Sequence, residues 1–72
     1  MTTAATNGHV KETYADGSTY NGEKMNGLRH GKGVFTYTDG GIYDGQWTAG
    51  SMDGYGVLFY SSGSKAYEGY WK

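Results

Sequence analysis

Twenty-three residues separate Tyr20 from Tyr43, and the segments that begin there, YNGEKMNGLRHGKGVFTYTDGGI and YDGQWTAGSMDGYGVLFYSSGSKA, run in step. Tyr20 aligns with Tyr43, Gly22 with Gly45, Gly27 with Gly50, Gly31 with Gly54, Gly33 with Gly56, Val34 with Val57, Tyr37 with Tyr60 and Gly40 with Gly63. YEGYWK opens a further copy at Tyr67, 24 residues on. One step back, Gly8, Tyr14, Asp16 and Gly17 match Gly31, Tyr37, Asp39 and Gly40. A fixed period of this size marks one supersecondary unit built several times, each copy stabilised by its neighbours. The boundaries implied are a half copy over 8–19, full copies over 20–42 and 43–66, and a partial copy over 67–72. Residues 1–7, small and polar, read as a flexible leader with neither the apolar run nor the basic start of a targeting segment.

Within a copy the spacing is that of strands. Tyr43, Gly45 and Trp47 recur every second residue, which puts them on one face with Asp44 and Gln46 on the other. Tyr55 to Tyr60 is a second aromatic and β-branched run bounded by Gly, Ser and Asp. A helix would need a period of 3.6. The expected fold is therefore all-β: a single-layer antiparallel meander of about six short strands with open edges. An interior glycine costs about 0.5–1 kcal/mol relative to alanine, so 14 of them in 72 residues need a structural reason. The reason expected is space for rings. A hairpin turning at Asp39-Gly40 sets Tyr37 opposite Tyr43, Phe35 opposite Gly45 and Gly33 opposite Trp47. A tight turn around Ser51-Met52 sets Tyr43 opposite Tyr60, Gly45 opposite Leu58 and Trp47 opposite Gly56. Each bulky side chain would then lie between glycines.

The copies resemble the MORN repeat (membrane occupation and recognition nexus), whose pattern is approximately Y-x-G-x-W-x-x-G-x-x-H-G-x-G, then an aromatic strand and D-G. The resemblance runs from Gly8 to the end, with two departures: Lys24 stands where Trp47 and Trp71 do, and Asp53 stands in the place of His30. It implies β-hairpin repeats and a role in assembly. Members occur in radial-spoke heads, cytoskeletal collars, junctional membrane proteins, phosphoinositide kinases and a SET-domain methyltransferase, where the repeats act as scaffold, dimerisation or tethering modules.

Composition closes off other classes. The net charge of −1 argues against nucleic acid, whose binders present a basic face. No cysteine is present, no metal-ligand spacing surrounds His9 or His30, and no cofactor is implied. Arg29-His30-Gly31-Lys32 reads as a turn. GKG and GYG lack the context of a phosphate-cradling loop. Ser61, Ser62 and Ser64 have no base to activate them and read as turn residues. A single open sheet offers no cleft for paired acids, so no enzyme is expected.

What remains is a surface. Tyr20, Tyr43, Trp47, Tyr67 and Trp71 form the candidate partner-binding face, since Tyr and Trp dominate protein–protein hot spots. Asn21, Glu23, Asp44, Gln46 and Glu68 mark a solvated face, interrupted by Val34, Val57, Phe59 and Tyr70. No cap is evident at either end, so both margins are expected to seek a partner, which is another protein, a second copy or further repeats. The expected function is a structural subunit of a larger complex, cytoskeletal assemblies among them. Alternatives are a phospholipid-binding membrane tether and a regulatory segment of a larger enzyme. Lys11, Lys24, Arg29, Lys32, Lys65 and Lys72 are scattered and offset by seven acids, which disfavours the tether. Compartment is left open.

Overall fold

The computed structural model of the protein describes residues 8–71; the leader expected over 1–7 lies outside them. Among the described residues there is no helix. Six strands, β1 (Gly8–Thr13), β2 (Thr19–Met25), β3 (Leu28–Thr36), β4 (Ile42–Thr48), β5 (Ser51–Phe59) and β6 (Lys65–Trp71), follow one another in chain order across one antiparallel sheet. With extents of 46 × 26 × 15 Å the molecule has room for one layer and its side chains. The expected single-layer meander is what forms. β4 shows the alternation most plainly, with Tyr43, Gly45 and Trp47 buried and Asp44, Gln46 and Thr48 exposed.

Two kinds of turn alternate along the meander. Asn26-Gly27 and Ala49-Gly50 connect their strands as two-residue loops with φ of 53°, 80°, 50° and 88°. Positive φ at both central positions is the type I′ signature, whose twist suits a tight hairpin. At the other ends, Tyr14, Tyr37 and Tyr60 accept the N–H of Gly17, Gly40 and Gly63 at 2.9–3.0 Å. The same three residues donate their own N–H to the carbonyls of Ser18, Gly41 and Ser64. This is a three-residue loop closed by a residue in the left-handed region. Asp16 and Asp39 brace two of these loops by accepting the N–H two residues on at 2.9 Å, while Ser62 does so more weakly at 3.4 Å.

These turns, with a bulge in β5, correct the expected register by two residues at Tyr43 and Gly45 and by four at Trp47 against β5. Tyr43 faces Phe35 and Leu58, Gly45 faces Gly33 and Gly56, and Trp47 faces Gly31 and Met52. The hairpin turns at Ala49-Gly50, not around Ser51-Met52. Beyond it β5 carries two extra residues between Met52 and Gly56, opposite a single residue of β4. Gly54 takes up this bulge with φ of 94°, and Gln46 Oε1 fills the gap by accepting the Tyr55 N–H at 2.6 Å. An equivalent bulge lies between Gly22 and Lys24 of β2 and their β3 partners. The segment Arg29 to Lys32, expected as a turn, therefore lies within β3.

The corrected register produces two rows across the sheet: Glu12, Tyr20, Phe35, Tyr43, Leu58, Tyr67, and beside it Val10, Gly22, Gly33, Gly45, Gly56, Gly69. Glycine faces glycine. The rings do lie over bare backbone, but each tyrosine folds along its own strand to get there. A methyl added at Gly45 would run into the Cα of Gly56 and meet the Tyr43 hydroxyl at 2.6 Å. One added at Gly56 or Gly33 would enter the ring of Tyr43 or Tyr20. None of Gly22, Gly33, Gly45 and Gly56 has positive φ, so these positions require glycine for room and not for conformation. Each phenol then donates to the carbonyl three residues ahead, Tyr20 to Glu23 at 2.7 Å and Tyr43 to Gln46 at 3.0 Å. Burial raises both hydroxyls above the ordinary value of 10.0, which keeps the donor protonated.

Candidate functional site

The buried apolar residues among those described are Tyr20, Tyr43 and Trp47. They belong to a ladder in which rings meet edge to face. Trp47 stands between Tyr20 (centroids 5.6 Å, 87°) and Tyr43 (5.2 Å, 89°), and Trp71 between Tyr43 (5.3 Å, 87°) and Tyr67 (5.0 Å, 82°). Such contacts add about 0.5–1.5 kcal/mol each beyond the area they cover. The indole N–H groups are tied down as well, Trp47 to the Gly33 carbonyl at 3.1 Å and Trp71 to that of Gly56 at 3.4 Å.

Exposure changes along this ladder. Tyr20 and Tyr43 are 0% exposed and Trp47 4%, whereas Tyr67 is 45% exposed and Trp71 is part-buried. Of the five residues singled out in the sequence, Tyr20, Tyr43 and Trp47 sit within the sheet's own packing. Tyr67 and Trp71 stand at its margin on β6. Tyr67 already has the pose of its counterparts, donating to the Tyr70 carbonyl at 3.0 Å, with one flank uncovered.

The opposite margin is an open edge as expected, but its side chains differ in chemistry. Glu12 occupies the row position of Phe35 and Leu58, and Lys24 the place of a tryptophan. Lys24 Nζ bonds both Glu12 carboxylate oxygens at 3.0 and 2.9 Å, and the Tyr14 hydroxyl donates to Glu12 at 2.7 Å. The Tyr14 hydrogen bond, then that of Lys24, hold the Glu12 carboxyl below its ordinary value. A polar cluster thus ends the aromatic ladder beside β1.

Arg29 was not singled out as part of this face, yet it lies on it. Its guanidinium carbon is 4.8–5.5 Å from the ring centroids of Tyr14, Tyr20, Phe35 and Trp47, a cation over ring faces. Nε is buried without an acceptor, and no carboxylate among the described residues forms an ion pair with it. The signal that would have found it is plain alternation: taken as strand and not as turn, Arg29 is an even number of residues from Gly33 and Phe35 and shares their face. Arg29 and its repeat equivalent Met52 line an open groove of about 420 Å³, together with Phe35, Tyr37, Trp47 and Trp71.

The reverse face offers less. Asn21, Glu23, Asp44, Gln46 and Glu68 are exposed as expected, while Val34, Val57 and Phe59 are half-buried. Tyr70 is 77% exposed and packs edge to face on Tyr55. The Tyr55 hydroxyl bonds Glu68, which also pairs with Lys65. His9 Nε2 lies 2.6 Å from Asn21 Oδ1, and His30 is half-buried beside Gly31 and Asp53. No cluster of three potential metal ligands occurs among the described residues.

A one-layer sheet of β-hairpin copies, each locking a tyrosine over paired glycines, defines a repeat module. The MORN repeat model matches residues 20–42 and 43–65, which together make up well over half of the chain. The protein belongs to the MORN repeat family. Comparison with curated proteins returned no match.

Proposed function

We propose that the protein is a non-catalytic structural module that joins a larger assembly through its repeat sheet, docking at the β6 margin. Its units are the half copy 8–19, the copies 20–42 and 43–66 and the partial copy from 67. The observation that carries this reading is the exposure of Tyr67 at 45%, against 0% for Tyr20 and Tyr43 in the same pose. A ring held in a buried pose with nothing over it marks a surface ready to be covered. Tyr67 and Trp71 make the contact, and Tyr20, Tyr43 and Trp47 hold them in place from within. MORN repeats serve protein or lipid interactions in general. The cations here favour protein. Lys24 and Lys65 are ion-paired and Arg29 sits among rings, leaving few to meet anionic lipid.

Size measurement on the protein in native extract tests the reading. It should migrate in an assembly well above its own 7.8 kDa, and Tyr67→Ala should release it. Migration of the native protein as a monomer contradicts the proposal. Salt-sensitive flotation with anionic vesicles would move the assignment to a membrane tether.

A further inference from the structure

The two margins of the sheet differ in the row of glycines, and that difference specifies what fits each. In the interior, the Tyr20 ring spans Gly22 of its own strand and Gly33 of the next, and the Tyr43 ring spans Gly45 and Gly56. The second glycine of each pair always lies on the strand that follows. Tyr67 covers Gly69, where an added methyl would meet its hydroxyl at 2.8 Å. Beyond β6 the described residues supply no second glycine.

We infer that β6 takes an antiparallel strand from a partner protein, and that this strand carries glycine opposite Gly69. The inference rests on the docking role proposed above and names the partner's chemistry. Any side chain opposite Gly69 would occupy the place that a methyl on Gly33 or Gly56 would occupy, which is the tyrosine ring itself. An apolar residue two positions along would face Tyr67, as Phe35 and Leu58 face Tyr20 and Tyr43.

A second copy does not meet this requirement. Its β1 matches β3 and β5 in the repeat, but Val10 stands where Gly33 and Gly56 stand. Glu12 stands where Phe35 and Leu58 do, with its oxygens already held by Tyr14 and Lys24. Val10 would drive its branched side chain into Tyr67, so head-to-tail stacking of copies is blocked. Two β6 strands paired about a two-fold axis at Gly69 would bring two phenol rings to a gap that holds one. Val10 therefore bars β1 of a second copy from β6 and leaves β6 to the partner's glycine-bearing strand.

The test is an amide NMR titration of the full 72-residue chain with two synthetic peptides. One has the sequence of β5, SMDGYGVLF; the other has valine at the position of Gly56. The glycine peptide should shift the amides of β6 and slow their exchange while leaving β1 unchanged. The valine peptide should bind about tenfold or more weakly, the penalty of one overpacked contact. Equal binding of the two peptides, shifts confined to β1, or self-association of the chain through β6 would each overturn the inference. If the native assembly forms and is released by Tyr67→Ala while neither peptide touches β6, docking stands and the glycine-strand inference fails. If the glycine peptide binds β6 and the native protein is a monomer, the assembly role fails while the strand specificity stands.

Discussion

Tyr43 shows how one residue links the repeat to its stability. Its ring lies over two glycines, and its hydroxyl donates to the Gln46 carbonyl at 3.0 Å, so hydrophobic cover and orientation come from the same side chain. Tyr43→Phe keeps the ring and removes only the donor. Urea denaturation should show a loss of about 1 kcal/mol, the usual net worth of one hydrogen bond plus the stranded carbonyl. Glu12 is the polar counterpart at the other margin. Its carboxyl is held below the ordinary value of 4.5 by Tyr14 and Lys24, so the folded state favours the charged form. That contribution is present above about pH 4.5 and is lost as pH falls through the lowered value. Stability measured over an acid pH series should decline across this window, and Glu12→Gln should flatten that part of the decline.

At the level of strands and turns, the two type I′ hairpins are built from unequal materials. Asn26 takes its φ of 53° with a residue that tolerates the left-handed region, whereas its repeat equivalent Ala49 is at 50° with one that does not. Ala49→Asn should therefore raise stability by about 0.5–1 kcal/mol, read as a higher thermal midpoint; an unchanged or lowered midpoint would mean the turn is relaxed by other contacts. The existence of the strands, their faces and their antiparallel order were legible in the sequence, because a period of two and a 23-residue echo are patterns of composition along the chain. Register was not. It is fixed by loop geometry: the three-residue loop at Thr38-Asp39-Gly40 displaces the pairing by two residues, and the Ala49-Gly50 turn displaces it by four, of which the β5 bulge restores two. The bulge at Gly54 was also hidden, since nothing in GYG distinguishes a glycine that bends from one that makes room. Arg29 was hidden because Arg29 to Lys32 reads as a turn, which takes it out of the alternation that Gly33 and Phe35 set along β3.

For the molecule as a whole, stability comes from neighbouring copies and not from a second layer. Trp47 has Tyr20 and Tyr43 on its two sides and is 4% exposed. Trp71 has the same chemistry beside an uncovered Tyr67. Trp47→Ala should cost about 3–5 kcal/mol, enough to unfold a domain of this size. Trp71→Ala should lower the thermal midpoint much less and chiefly weaken assembly. Equal losses in the two variants would remove the distinction between interior and margin.

Tyrosine rings seated over facing glycines hold the sheet together, and paired urea denaturation of Gly56→Ala and Gly41→Ala measures their dependence on that bare backbone. Both glycines are buried and neither has positive φ. A methyl on Gly41 meets its nearest atoms at 3.3 Å, whereas one on Gly56 enters the Tyr43 ring. Gly56→Ala should lose about 2–3 kcal/mol or more, and Gly41→Ala under about 1 kcal/mol. Equal and small losses would mean that the ring does not depend on the bare backbone beneath it.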